Sequence, residues 1–160
     1  MAEDTSKKEG SSFPSMEEEV IDFWDKSATF QLSLKKEAPK GDYVFYDGPP
    51  FATGTPHYGH LVGNIMKDVV PRYQTMRGYH VERKWGWDCH GLPIENIVEK
   101  ELGLKTKKDI EDMGVGKFND LCRERVLGYV DDWRRIIRRL GRWADMDNAY
   151  KTMDLDFMDS

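Results

Sequence analysis

The chain has 160 residues, 39% of them hydrophobic and 12% aromatic, enough for one domain that buries about two thirds of its unfolded surface. Its formal net charge of −5 does not favour nucleic-acid binding by this chain alone, because contacts with phosphates need clustered Lys and Arg side chains. Two cysteines are too few for a disulfide scaffold, and no apolar run is long enough to span a bilayer, so we expect a cytoplasmic protein without membrane contact.

The N-terminal part divides into a polar tail and a short helix. Residues 1–12 contain one Met, one Ala and no larger apolar side chain, and we expect them to be disordered. The tail has acidic residues, no arginine and no apolar segment, which argues against a secretory or organellar presequence. Ser15 and Glu18 match the S-x-x-E capping box before apolar residues at helical spacing. Residues 13–41 are therefore predicted to form an N-terminal helix and a polar linker.

A strand, a helix and a second strand are predicted next. Residues 43–46 are rich in Tyr, Val and Phe and are typical of a buried strand. The helix that starts at His57 and ends before Gly78 has an apolar stripe formed by Leu61, Ile65, Val69 and Tyr73. Pro71 interrupts it and predicts a kink or an early end. Residues 79–84 alternate as a second strand, so the fold class is α/β with a parallel sheet and a right-handed crossover.

The remaining residues predict mainly helices. The predicted segments are a loop at 85–93, a helix at 94–102, a short helix capped by Thr106 and Asp109, and one long amphipathic helix over 118–140. Gly103, Gly114 and Gly141 mark the helix ends. Residues 142–160 show no firm periodicity.

Two unusual loops, GPPFATGTPHYGH and WGWDCHGLP, are predicted to lie at one edge of the sheet, where the ligands of open parallel sheets bind. The first loop leads into a helix N-terminus, whose free N–H groups favour anions. His57 and His60 are spaced i and i+3 and share one face there. As donors to a phosphate, they would stabilise charge that develops in a transition state. Gly59 between them leaves room for a flat ring to approach the backbone.

The residues alone leave other interpretations of the histidines open. His57 and His60 are also compatible with helix capping or packing, and both, together with Cys89 and His90, are possible zinc ligands. The adjacent Cys89 and His90 would point in divergent directions, however, and the sequence contains neither the helical zinc motif HExxH nor a P-loop.

Two further features are equally ambiguous. Asp88 fits either a turn or a partly desolvated carboxylate that binds an ammonium group. The basic segment 134–142 lies on an amphipathic helix, where a solvated face is favoured over a phosphate-binding patch.

Both loops resemble a known family. Residues 47–60, DGPPFATGTPHYGH, resemble the HIGH signature region of class I aminoacyl-tRNA synthetases, with Tyr58 in place of the Ile of HIGH. Residues 86–95, GWDCHGLPIE, resemble the form found in isoleucyl-tRNA synthetases, and the pair together is highly specific. Three flanking segments are also similar to the family: Met16–Phe30, Leu140–Trp143 and Tyr150–Thr152. With them, the resemblance covers about residues 14–155.

The resemblance implies ATP-dependent activation of isoleucine and its attachment to tRNA(Ile). It implies that Pro56, His57, Gly59 and His60 bind ATP. The catalytic residues would be His57 and His60, which stabilise the α-phosphate as pyrophosphate leaves. Mg²⁺ would enter with ATP, and no zinc is expected in this segment.

The resemblance also implies an isoleucine site. Gly48 and Pro49 would shape one wall of the isoleucine pocket, and Asp88 would hold the α-amino group. The contacts with tRNA(Ile) and the editing site are expected outside this chain.

Members of this family run to several times this length. The resemblance therefore implies that residues 42–160 are the first half of a Rossmann-type catalytic domain, with a parallel sheet and flanking helices, truncated where the family carries an editing insertion. We expect the chain alone to be inactive or weakly active. The alternative is a noncatalytic fragment or paralogue that binds a nucleotide or a partner chain.

Overall fold

The structure, a computed structural model, describes residues 12–51 and 53–160. Within these ranges the chain forms α1 (Phe13–Lys26), α2 (Thr29–Lys35), α3 (Tyr58–Met76), β1 (Lys84–Trp87), α4 (Leu92–Leu102), α5 (Lys107–Met113), α6 (Val115–Val126), α7 (Val130–Arg139), β2 (Asp145–Lys151) and α8 (Leu155–Met158). Residues 1–11 of the predicted disordered tail lie outside the described residues. No helix in the described ranges has the length and apolar composition needed to cross a bilayer.

Helix α1 begins earlier than the sequence predicts. Ser12 is its N-cap, and the Ser12 side chain accepts a hydrogen bond from the backbone N–H of Ser15 (3.4 Å). Pro14 follows in the first turn, where a missing N–H leaves no hydrogen bond unmade. The predicted capping box at Ser15 and Glu18 is therefore wrong, because Ser15 already lies inside the helix.

Strands β1 and β2 form a parallel sheet. The paired residues are Lys84 with Asp145, Gly86 with Tyr150, and Trp87 with Lys151, with an irregularity between the first two pairs. Parallel pairing was predicted, but residues 85–87 were assigned to a loop and residues 142–160 to no element. The cause is that Trp85, Gly86 and Trp87 are all buried, so β1 lacks the alternation that identifies a strand with one exposed face.

The predicted buried strand at residues 43–46 is wrong. Val44 is 71% exposed and Tyr46 92% exposed, and neither belongs to a regular strand. The extended chain here forms only isolated parallel bridges, Asp42 with His80 and Phe51 with Asp88. The predicted strand at 79–84 likewise pairs at His80 and becomes regular only at Lys84.

Helix α3 continues through Pro71 to Met76, so the prediction of an early end is wrong. Side-chain hydrogen bonds stabilise the turn after Pro71. Thr75 Oγ1 donates to the Pro71 carbonyl (2.9 Å), and Arg83 donates to Thr75 Oγ1 (2.6 Å). Gly78 has a φ of +94° and ends the helix as predicted.

The two faces of α3 reverse the usual arrangement. Its buried residues are Asn64, Pro71 and Thr75. The predicted apolar stripe faces outward, with Ile65 48%, Val69 58% and Tyr73 52% exposed. The inner face of α3 is therefore the more polar one, where Asn64 accepts a hydrogen bond from Arg142 and Thr75 accepts one from Arg83.

The hydrophobic core consists of Trp85, Trp87, Cys89, Ile94, Val98, Phe118, Val126, Trp133 and Ile137. These residues belong to β1, the segment after it, and helices α4, α6 and α7. The predicted end of α4 at Gly103 and the capping of α5 by Thr106 and Asp109 are confirmed. The single helix predicted over 118–140 is two helices, because the chain turns between α6 and α7 near Gly128, a weak helix former.

Candidate functional site

His57 and His60 cap the N-terminus of α3 reciprocally. His57 Nδ1 accepts a hydrogen bond from the backbone N–H of His60 (3.4 Å), and His60 Nδ1 accepts one from the backbone N–H of His57 (3.3 Å). The two rings stack with centroids 3.7 Å apart and planes 20° apart. The capping interpretation that the sequence left open therefore describes the local geometry.

The caps determine which nitrogen of each ring carries a proton. Because Nδ1 of each ring accepts a hydrogen bond, a neutral imidazole must carry its proton at Nε2. Burial lowers the pKa of His60, and the neighbouring His57 and Lys67 lower it further. Each ring, when neutral, therefore has its N–H donor at Nε2.

Gly59 lies beneath the ring of His57. A Cβ at this position would be 3.0 Å from His57 Cε1 and 3.2 Å from His57 Nδ1, closer than ordinary van der Waals contact. The flat ring for which Gly59 leaves room is therefore the imidazole of His57 itself. Pro56, which is half-buried, precedes this cap.

Charged side chains hold the start of the first loop. Asp47 Oδ1 lies 2.5 Å from Lys67 Nζ, and Asp47 Oδ2 pairs with Arg142. The side chain of Arg142 is only 5% exposed; it also donates to Asn64 Oδ1 and lies 4.7 Å from the ring of Trp85. A buried guanidinium needs a counter-charge, so Asp47 ties the loop both to α3 and to the chain after α7.

Gly48 and Pro49 follow Asp47 directly. Lys67 Nζ donates to the carbonyl of Gly48 (3.0 Å). Gly48 is exposed and Pro49 half-buried. A Cβ at Gly48 would meet no atom of the described residues within 4 Å beyond its chain neighbours, so no described atom crowds this side of Gly48.

The two loops meet at Asp88. The backbone N–H of Asp88 donates to the carbonyl of Pro50 (3.0 Å), next to the parallel bridge between Phe51 and Asp88. Asp88 is half-buried, and its Oδ1 accepts a hydrogen bond from Thr152 Oγ1 (3.4 Å). Thr152 Oγ1 in turn accepts from the backbone N–H of Cys89 (2.8 Å). The two segments are thus neighbours, as predicted, but residues 85–87 of the second one form strand β1 rather than a loop.

Tyr150 lies near both Asp47 and Asp88. Its hydroxyl donates to the backbone carbonyl of Asp47 (3.5 Å). Burial raises the pKa of Tyr150, and the charges of Asp47 and Asp88 raise it further, so the phenol stays protonated. The ring covers the backbone of Gly86, where a Cβ would overlap it.

The side chains that hold the first loop were missed from the sequence. Lys67, Trp133, Arg142 and Tyr150 were given no part in a site, because their partners are remote along the chain. The sequence signal for two of them, Arg142 and Tyr150, was the family resemblance of residues 140–143 and 150–152.

The cysteines and the basic helix do not extend the site. In residues 12–51 and 53–160, no group of three or more His, Cys, Asp and Glu could hold a metal ion. Burial raises the pKa of both cysteine thiols, Cys89 and Cys122. The arginines of α7 are paired with carboxylates, Arg134 with Asp147, Arg135 with Asp132, Arg138 with Asp25 and Arg139 with Glu17. This pairing argues against a phosphate-binding patch on α7.

Known proteins resemble this chain over most of its length. The family model for class I tRNA synthetases (I, L, M and V) matches residues 19–160. Isoleucine–tRNA ligase 2 of Pseudomonas fluorescens is 60% identical over 148 residues, which are 92% of this chain and 14% of the relative. Isoleucine–tRNA ligase of Treponema denticola is 55% identical over 148 residues, with the same two shares. The chain thus spans 14% of the length of these relatives.

A solved structure shares the fold. The crystal structure of the ternary complex of LeuRS, tRNA and LeuAMS from Agrobacterium radiobacter K84 matches with a TM-score of 0.60, 23% identity, and coverage of 88% of this chain and 16% of that one. At this identity the likeness concerns the fold alone. The predicted class, part of a Rossmann-type parallel sheet with flanking helices, is confirmed.

Proposed function

We propose that this chain, which belongs to the family of class I tRNA synthetases, carries the first half of the adenylation site of an isoleucine–tRNA ligase. The high identity to isoleucine–tRNA ligases supports the choice of amino acid. The observation that carries the proposal is the backbone contact between the loop leading to His57 and His60 and the segment carrying Asp88. Groups suited to a phosphate and to an ammonium group thus belong to adjoining segments.

The proposed reaction begins with attack of an isoleucine carboxylate oxygen on the α-phosphorus of ATP. The bond between that phosphorus and the oxygen that joins it to the β-phosphorus breaks, and pyrophosphate leaves with the bonding electrons. A hydroxyl oxygen of tRNA(Ile) then attacks the carbonyl carbon of the adenylate, the bond between that carbon and the phosphate oxygen breaks, and AMP leaves. No side chain needs to act as a covalent nucleophile or a general base, because positioning and charge stabilisation supply the catalysis.

The proposed ATP site comprises Pro56, His57, Gly59 and His60. Helix α3 has 19 residues, and its N-terminus carries a partial positive charge that favours a phosphate. The Nε2–H groups of the two imidazoles would donate to the α-phosphate as negative charge develops there. Mg²⁺ would enter with ATP on the phosphate oxygens.

The proposed isoleucine site lies beside it. The carboxylate of Asp88 would bind the α-ammonium group, and half-burial strengthens such a charged hydrogen bond. Gly48 and Pro49 would form one wall, next to the open space at Gly48. Contacts with tRNA(Ile) and editing are assigned to other parts of the full-length enzyme.

Isoleucine-dependent exchange of pyrophosphate into ATP tests the proposal. In the full-length enzyme that carries this chain, we expect His60→Ala to lower the exchange rate by about a hundredfold to a thousandfold, the usual loss for one such donor. His80→Ala is the matched control, because His80 pairs with Asp42 (2.9 Å) outside both loops. An unchanged rate in His60→Ala would remove the role assigned to this residue.

Calorimetry on the chain separates an adenylation site from a fragment that binds only a nucleotide. A non-hydrolysable isoleucyl-adenylate analogue should bind more tightly than AMP and than the valyl analogue. Asp88→Asn should weaken binding of the isoleucyl analogue by about tenfold or more, the value of a hydrogen bond to a charged group. Equal affinities for AMP and the isoleucyl analogue would favour the nucleotide-binding alternative.

A further inference from the structure

A buried indole anchors the far end of the first loop. Trp133 Nε1–H donates to the carbonyl oxygen of Gly54 at 2.8 Å, across 79 residues of sequence. Trp133 lies on α7 and is 0% exposed. One carbonyl of the loop is therefore fixed to a side chain that cannot reorient without disturbing the close-packed core.

The same indole contacts His60. The two ring centroids are 5.0 Å apart and their planes 61° apart, an edge-to-face arrangement that aromatic pairs prefer. Trp133 also makes edge-on contacts with Trp85 and Trp87 in the core. It thus connects the core with a loop carbonyl and with one imidazole of the proposed ATP site.

Helix α7 is itself fixed next to the sheet. Arg134 pairs with Asp147 (2.6 Å) and donates to the carbonyl of Met146 (2.7 Å), and both partners lie in β2. Ile137, one turn later, is 1% exposed in the core. The position of Trp133 is therefore set by the sheet and the core, and the loop is held against it.

We propose that Trp133 is a positioning residue: its indole N–H holds the loop at Gly54, and its ring orients His60 towards the α-phosphate. This inference rests on the proposed function. Core packing alone would require only an aromatic ring of suitable volume at position 133. The hydrogen bond to a loop carbonyl and the contact with His60 go beyond that requirement.

Trp85 offers a matched control. It is 1% exposed and belongs to the same aromatic cluster, but its Nε1–H has no hydrogen-bond partner in the described part of the chain. Trp85→Phe and Trp133→Phe remove the same atoms from one core, and only the second removes a hydrogen bond. Phe at position 85 also keeps a ring beneath the guanidinium of Arg142, now 4.7 Å away.

Pyrophosphate-exchange kinetics of the full-length enzyme give the first test. We expect Trp133→Phe to lower kcat by about three- to tenfold, the value of one lost hydrogen bond, with KM for isoleucine within about twofold of the parent value. Trp85→Phe should leave kcat within about twofold of the parent value. Equal losses of kcat in both variants would make Trp133 a packing residue and overturn the proposal.

Backbone amide NMR relaxation on the 160-residue chain gives a second readout that does not depend on activity. The order parameters of the Gly54 and Thr55 amides should fall below about 0.6 in Trp133→Phe and stay at about 0.85 in Trp85→Phe and in the parent. Parent-like values in Trp133→Phe would overturn the proposal. If the parent enzyme lacks exchange activity, the proposed function fails, while this measurement still decides whether Trp133 positions the loop.

A non-natural residue removes the same hydrogen-bond donor with little change in the volume of the core. Benzothienylalanine at position 133 keeps the shape of the indole and replaces its N–H by sulfur. We expect the same fall in kcat and in the Gly54 order parameter as in Trp133→Phe. Parent-like values with this residue would overturn the proposal even if Trp133→Phe does not fold.

Discussion

The loop from Asp47 to His57 and the strand β1, which ends just before Asp88, position the proposed site residues, but different interactions hold the two segments. In the described part of the loop, the carbonyl of Pro50 accepts a backbone hydrogen bond from Asp88 and that of His57 accepts one from Leu61 in α3. Side chains hold Asp47, Gly48 and Gly54. Strand β1 is instead paired with β2 along its backbone, and its last three residues are buried.

This difference implies different sensitivities to substitution. A loop held by a few side chains depends on their charges and donors, because each anchor is a separate interaction. A buried strand depends mainly on volume, because its backbone bonds are independent of side-chain identity while its faces are close-packed. Charge changes should therefore affect the loop most, and size changes the strand.

Among changes in the loop, removal of the Asp47 charge should lower the free energy of unfolding the most. Asp47→Asn leaves the guanidinium of Arg142, 5% exposed, without its carboxylate partner. We expect the free energy of unfolding to fall by about 3–5 kcal/mol, the usual cost of an unpaired buried charge, measured by urea denaturation. Pyrophosphate exchange in the full-length enzyme should fall too, because Asp47 directly precedes Gly48.

Glu111→Gln is the control for this prediction. Glu111 and Lys107 form an exposed pair at 3.9 Å on α5, and the change should alter the free energy of unfolding by less than about 0.5 kcal/mol. Similar small changes in both variants would show that the charges at Asp47 do not hold the loop.

Enlarging Gly86 is the corresponding test of the strand. A Cβ at Gly86 would overlap the ring of Tyr150 on β2, so Gly86→Ala must displace the ring or the strand. We expect a loss of about 1–3 kcal/mol in the free energy of unfolding, as for other overpacked cores. Gly116→Ala on α6 meets no atom of the described residues within 4 Å and should stabilise the helix by up to about 1 kcal/mol. A parent-like stability of Gly86→Ala would contradict the close contact.

Features that depend on neighbouring residues were predictable from the sequence. The end of α3 at Gly78 and the cap formed by Thr106 and Asp109 rest on residues within one helical turn, so local chemistry decides them. The same holds for His57 and His60, whose spacing of three residues placed both at the N-terminus of α3.

Features that depend on tertiary partners were not predictable. Arg142 lies 95 residues from Asp47 and Trp133 lies 79 residues from Gly54, and no periodicity links such pairs. The burial of α3 was not predictable either. Apolar spacing identifies one face of a helix, but it does not show whether other residues of this chain cover that face. The motifs therefore named the residues of the proposed site, whereas the side chains that hold the first loop became visible only in the structure.

The smallest expected effect concerns His60, in the first turn of α3 directly after the loop. Burial, His57 and Lys67 lower the pKa of His60 below its ordinary value of 6.5. The unfolded chain therefore binds a proton at His60 more readily than the folded chain, and stability falls as the pH drops below 6.5 towards the folded-state pKa. Protonation at Nδ1 would also remove the acceptor that caps the N–H of His57.

Urea denaturation at about pH 7.5 and about pH 5.5 measures this contribution. We expect the parent chain to lose more stability on acidification than His60→Gln, because Gln does not titrate. The difference should be smaller than the effects of Asp47→Asn and Gly86→Ala, since His60 contributes only part of the proton uptake on unfolding. Identical losses in the two proteins would mean that His60 has the same pKa in both states, and that the end of the loop, unlike its start, is insensitive to charge.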